Sequence, residues 1–312
     1  MLALRRRDGG VTPLLEESPS RNLLAVRTRP TSWWLEALHK RRSRMAGERL
    51  DLSHPIAFAS PTQRAAAVAF FNAAFRAEES GLRQAHELAD DVSQWDAELG
   101  ECLRLYGDEE GWHRELLTQF LAWLGGEIRP MGRTTRTFYR LYARAKEMET
   151  IVLVNLMFET IGSTTYRLAL RDVTHPAVRQ MLTILTRDES FHVPLNVHFL
   201  RAALARAPHA KTRLRALYHV TFLALVASTI PSRRRAFPFD GIPQRVLAHA
   251  YAEQLARLFL DESDLGLAPS SLLLRTFALD EGALLRRPSP VSLRAAEEAA
   301  DRAKVTVTAL DP

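Results

Sequence analysis

Two segments of this chain carry the same short pattern, Glu110-Gly-Trp-His113 and Glu189-Ser-Phe-His192. Residues three apart on a helix share a face, with about 5–6 Å between Cβ atoms, so each pair can aim a carboxylate and an imidazole at one point. That is a chelating geometry. A third copy, Glu36-Ala-Leu-His39, lies near the N-terminus without further partners and is not expected to bind a metal. The first two copies differ from it in their setting. Leu99, Leu103, Tyr106, Glu110, His113, Leu117 and Phe120 recur in alternating steps of three and four, and Val178, Met181, Leu182, Leu185, Glu189, His192, Asn196 and Phe199 repeat the pattern. Each charged pair therefore falls on an apolar, core-facing seam. Ionisable groups facing a core are costly unless they are paired or bound to a cation.

Each pair also has a glutamate upstream at a matched distance. Glu79 precedes Glu110 by 31 residues and Glu159 precedes Glu189 by 30. In antiparallel helix hairpins, near-equal separations place both sets at similar depth from their turns, so two packed hairpins would bring all six groups together. Glu79 continues the stripe Phe71, Phe75, Glu79, Leu82, with its neighbour Glu78 as the rival; Glu159 continues Val152, Leu156, Glu159, Tyr166. The pattern reads as a duplicated half-site.

These residues resemble the ferritin-like di-iron-carboxylate superfamily, whose sites take one Glu from each of two helices and a Glu-x-x-His from each of two others. The resemblance spans residues 61–207. The forms Glu109-Glu110-Gly-Trp-His113 and Asp188-Glu189-Ser-Phe-His192 look most like the soluble O2-activating members, the arylamine N-oxygenases and the acyl-carrier-protein desaturases. Where the N-oxygenases carry an extra histidine this chain has Leu185, and where the small subunit of ribonucleotide reductase carries its radical tyrosine it has Leu117.

The resemblance implies a di-iron oxidoreductase of monooxygenase, N-oxygenase or desaturase type. It would hold two Fe ions, with Mn or a mixed Mn/Fe pair as the alternative, and use O2 as co-substrate. Its metal ligands would be Glu79, Glu110, His113, Glu159, Glu189 and His192, with Glu110 and Glu189 as the bridging, catalytic pair and Glu79 and Glu159 terminal. An external ferredoxin or reductase would deliver electrons to oxidise a small-molecule or carrier-protein-bound substrate, and a homodimer is compatible with the family. The rival readings are a ferroxidase that handles iron without an organic substrate and a metal-free structural bundle.

The expected elements are all helical. Pro61 behind a Ser60 cap opens a first long helix over 61–88, and Ser93 is the expected cap of a second, over 93–124, stopped by Gly125 and Gly126. A third is expected over 135–170 and a fourth from the corner at Pro176 to just before Pro208, kinked at Pro194. Further helices are expected over 211–230, 243–260 and 292–303, with an apolar stretch at 270–279. The fold class is thus all-α, a ferritin-like four-helix bundle core with additional C-terminal helices. Its parts would be a loosely attached basic arm over 1–58, the di-metal bundle over 59–208 and packing helices over 209–312.

With 312 residues, 46% of them hydrophobic, the chain can bury a sizeable core. A single cysteine, Cys102, excludes a disulfide within the chain and a Cys-rich metal site, so carboxylates and imidazoles must hold any metal. The net charge of +6 is concentrated in arginine clusters at 5–7, 40–44 and 233–235, but no nucleic-acid reading motif accompanies them, so no nucleic-acid partner is expected. The most apolar run, 214–230, is short for a membrane span and contains His219. No secretory leader is evident, and a cytoplasmic protein with no membrane attachment is expected. Glu147 and Glu149 are expected on the surface or paired with arginine, His219 as a hydrogen-bonded core histidine in preference to a ligand, and His86 and His198 in structural roles, with support of the metal ligands as their alternative. Tyr106, Tyr166, Phe75 and Trp112 are expected as core residues, with a substrate cavity as the alternative.

Overall fold

The computed structural model describes residues 28–229 and 244–286, and this portion is all-α with no strand among the described residues. Ten α-helices follow in order: α1 Thr31–Met45, α2 Pro61–Ser93, α3 Ala97–Trp123, α4 Arg133–Tyr142, α5 Met148–Asp172, α6 Pro176–Arg206, α7 Lys211–Thr229, α8 Gln244–Asp261, α9 Ser271–Thr276 and α10 Glu281–Leu285. The arginine clusters at 5–7 and 233–235 and the helix expected over 292–303 lie outside the described residues. No described helix is long and apolar enough to cross a membrane.

Local chemistry accounts for most boundaries. Ser60 caps α2 by accepting from the Gln63 amide, and Pro61 fills the first turn where its missing N–H costs nothing. The helix continues past the polar stretch at 90–92 because Val92 is buried, so Ser93 closes α2 instead of capping the next helix. Asp96 caps α3 by accepting from the Leu99 amide. Gly125, at φ +66°, ends α3 in a left-handed conformation that strains other residues, and the Gly126 amide returns to the Leu121 carbonyl. The helix expected over 135–170 is two helices. Tyr142 closes α4 and folds back onto α5, where its hydroxyl bonds the Ile151 carbonyl and the Asn155 side chain. No glycine or proline marks this break; tertiary contacts make it. α6 runs through Pro194 as one element.

α2 and α3 form one long antiparallel hairpin and α5 and α6 the other, each closed by a short turn. One apolar cluster includes Phe71, Phe75, Leu117, Phe120, Met181 and Leu185. The other takes in Ala85, Leu99, Tyr106, Leu156 and Phe199 together with α7 and α8, so the C-terminal helices pack on the hairpins. Along each of the four long helices the chain passes from one cluster to the other, and the charged residues of the duplicated motif fall at the crossing. The site is a polar layer between two apolar cores.

The part of the expected loose arm that is described is firmly attached. Trp34, Leu38 and Met45 of α1 are buried, and the helix lies along α3. Their spacing of four and seven makes one apolar face, and the only charged residue on that face is Arg41.

Candidate metal centre

Glu78 comes from α2, Glu110 and His113 from α3, Glu159 from α5, and Glu189 and His192 from α6; all six are buried, the two histidines completely. They form three overlapping sets whose ligand atoms lie within 4.8 Å of one another: Glu110, His113 and His192; Glu78, His113 and Glu189; Glu159, Glu189 and His192. The imidazole centroids are 5.6 Å apart. Glu189 belongs to two sets, one at each histidine, while Glu110 shares its set with both rings.

Five of the six residues singled out in the sequence meet here. Glu79 does not. Its side chain is 39% exposed and forms a 2.6 Å ion pair with Arg76, whereas Glu78 places Oε2 at 3.2 Å from His113 Nδ1. The buried face of α2 runs Phe71, Ala74, Glu78, Gly81, Ala85, Leu88, so its small residues belong to the seam. A Cβ on Gly81 would stand 3.3 Å from the Glu110 carboxylate, which shows how closely α3 approaches at this point. Gly81→Val is therefore expected to push the Glu110 carboxylate aside and lower metal retention at least tenfold, the scale seen when ligand positioning is lost. Metal analysis alongside a thermal melt checks this; full metal content would refute the close-approach argument.

Each imidazole is held from both sides. His113 Nε2 lies 3.2 Å from Asp188 of α6, and His192 Nε2 lies 2.9 Å from Glu109 of α3. The acid preceding each Glu-x-x-His motif thus grips the histidine of the other motif, tying the two hairpins together. An Nε2–H donated to a carboxylate leaves the Nδ1 lone pair for a cation and fixes the ring plane. Both Nδ1 atoms point inward: His192 Nδ1 is 3.0 Å from Glu110, 3.6 Å from Glu189 and 3.8 Å from Glu159.

The electrostatics of the metal-free cluster are those of too many buried acids. Burial first, then the charges of Glu159 and Glu78, push the Glu110 carboxyl well above its ordinary range. Glu78 is held lower, because hydrogen bonds from Glu110 and His113 outweigh its burial. Burial also opposes the charge on His113, yet its bonds to Asp188 and Glu78 raise it to about 10. His192 is raised as well, the Glu110 charge and the Glu109 bond overcoming its burial. Protons hold this cluster together where cations could.

Three buried atoms of this six-residue cluster make no hydrogen bond: Glu110 Oε1, Glu189 Oε2 and His192 Nδ1. Glu110, Glu189, Glu78 and Glu159 line one pocket between the helices, bordered also by Tyr166 and Asn155. An unpaired buried donor or acceptor costs roughly 1–3 kcal/mol, and native structures rarely leave several aimed at one point without an occupant. Four carboxylates and two neutral imidazoles are balanced by two divalent ions, and mixed carboxylate–imidazole sets suit iron or manganese. The residues fit a two-metal centre.

Two tyrosines brace this layer: the Tyr106 hydroxyl donates to Glu159, and the Tyr166 hydroxyl lies 3.5 Å from Glu78. Trp112 stands against His113 at 5.3 Å, and Phe75 belongs to the apolar cluster. The remaining candidates are peripheral. Glu149 pairs with Arg213 at 2.6 Å and Glu147 approaches the same guanidinium. His86 faces Asp108, and His198 bonds Thr31 Oγ1 at 3.1 Å. His219 is half-exposed, not a core residue, and bonds the Arg215 carbonyl at 2.6 Å. In the third motif copy, Glu36 pairs with Lys40 on the surface.

Glu109, Asp188 and Arg41 have no assigned role in the sequence reading. The first two had a visible signal, since both motif copies begin with an acidic doublet; Arg41 had one in its place on the apolar face of α1. Comparison of the chain with known protein families, curated proteins and solved structures finds no match.

Proposed function

We propose that this chain is a non-haem di-iron oxidase or oxygenase, its metals held by Glu78, Glu110, His113, Glu159, Glu189 and His192. The observation that carries this reading is that Glu110 Oε1, Glu189 Oε2 and His192 Nδ1 make no hydrogen bond within a buried cluster whose four carboxylates and two imidazoles form overlapping sets with ligand atoms no more than 4.8 Å apart. Two ferrous ions bound there would supply electrons for reducing dioxygen. The chain's own residues would orient and shield them. Glu110 and Glu189, each within reach of both histidines, would serve both ions, and Glu78 and Glu159 would each serve one. Tyr106 holds Glu159 in position, and the apolar clusters on either side keep bulk water away. With one cysteine in the chain, electrons would come from a separate ferredoxin or reductase. A cytoplasmic location, where such a donor is available, goes with this reading.

Ala77, Ser80 and Gly162 line the pocket beside the carboxylates, so an organic or carrier-bound substrate would react from that side. The four carboxylates in that lining also suit a second reading, oxidation of iron itself with no organic substrate. Anaerobic addition of Fe(II) followed by air separates them. About two irons per chain, as the ligand set requires, with oxidation ending at that stoichiometry until a reductase is added, supports the oxygenase reading. Continued oxidation of excess Fe(II) supports the second, and a protein that retains no iron removes both.

A further inference from the structure

Arg41 occupies the same face of α1 as the buried Trp34, Leu38 and Met45, and its side chain is only 11% exposed. A charge on such a face is tolerated only with close partners. Arg41 Nε lies 2.9 Å from Glu109 Oε1, and Nη2 lies 2.8 Å from Glu109 Oε2 and 2.9 Å from Asp188 Oδ1. The guanidinium also lies over Phe191, 4.1 Å from the ring centroid, and Trp34 meets the same ring edge-on, so its position is fixed by packing as well as charge. Two other arginines reach this region, but only on one side: Arg44 and Arg187 bond Asp188, at 2.9 and 2.8 Å, and neither bonds Glu109. Glu109 and Asp188 are the carboxylates that grip His192 and His113.

We propose that Arg41 is a positioning residue for the whole centre: one guanidinium holds Glu109 and Asp188 at once and thereby sets the ring orientation of both histidines. The N-terminal helix is then a strap across the two hairpins, and its attachment governs how tightly both ions are retained. The planar fork of arginine suits this task, since it can serve two carboxylates in fixed geometry where a lysine ammonium acts as a point charge. The metal-retention part of this inference rests on the metal reading above; the ring-positioning part does not.

The test therefore has two arms. In the metal-free protein labelled with 15N-histidine, the ring Nε2–H signals of His113 and His192 are both expected to shift or broaden in Arg41→Met, whereas Arg44→Ala moves only that of His113. In metal titrations against a chelator, Arg41→Met is expected to weaken both equivalents by about 10–100-fold, the cost usual for loss of an outer partner, and Arg44→Ala only one. Arg41→Lys, which keeps the charge and guards against failure to fold, is expected to fall between wild type and Arg41→Met in both measurements. Unchanged ring signals in Arg41→Met and Arg41→Lys, or loss confined to one histidine, overturn the proposal. If the wild-type protein binds no metal while both ring signals respond, the metal reading falls and the positioning role stands.

Discussion

Glu189→Ala is expected to remove both ions together, with affinity falling by more than about 100-fold, beyond the range for outer partners. Glu189 joins a set at each histidine, so its loss leaves neither group complete. Glu78→Ala should behave differently, emptying the His113 side and leaving roughly half the metal, because Glu78 appears in one set only. Glu79→Ala should leave metal content at the wild-type level. It removes an exposed pair with Arg76, an interaction worth about 0–1 kcal/mol. Metal analysis after desalting, with circular dichroism to establish folding, distinguishes the three. Loss of metal in the Glu79 variant and its retention in the Glu78 variant would overturn the assignment on α2.

That glutamate illustrates what a single sequence reveals and what it hides. The seams of α3 and α6 were legible because large apolar residues flank both charged pairs at helical spacing, and a four-residue motif on such a seam has only one register. On α2 the decisive residues are Ala74, Gly81 and Ala85, whose smallness lets α3 approach. A stripe drawn through the large residues Phe71, Phe75 and Leu82 points about one residue away from the face that closest packing selects. The α4–α5 break was hidden for a related reason. Residues 143–147 contain no helix breaker, and the chain turns because Tyr142 and Tyr139 find partners on α5, at Asn155 and Phe158. The attachment of α1 was half-visible: Trp34, Leu38 and Met45 declare an apolar face, but the destination of Arg41 depends on two carboxylates 68 and 147 residues away.

The stability gained on metal loading is expected to grow as pH rises from about 6.5 to 10. In the metal-free protein the folded state holds His113 protonated up to about 10, against an ordinary value of 6.5, because hydrogen bonds to Asp188 and Glu78 outweigh burial. A raised histidine contributes stability that is complete below the unfolded value and is lost as pH climbs through the folded one. His192 shifts in the same direction. Glu110 adds to the trend, since a buried carboxyl that keeps its proton costs stability once the unfolded chain ionises above its ordinary 4.5. The outer carboxylates act in a separate window. Glu109, held at about 2 by His192 and Arg41 against its burial, and Asp188, also lowered, stabilise the fold above their ordinary values and weaken it only as pH falls below about 4. Metal-free protein should therefore be most stable near pH 5–6. In a metal-loaded protein an ion would take the place of the proton at each Nδ1, so the alkaline decline is expected to disappear and protons to be released on binding. Thermal melts with Mn(II) or with chelator at pH 5.5, 7 and 9 measure the difference, and an indicator dye in weak buffer reads the released protons. A loading gain that stays constant with pH, or binding without proton release, would show that the inward nitrogens of His113 and His192 are not where the cations bind.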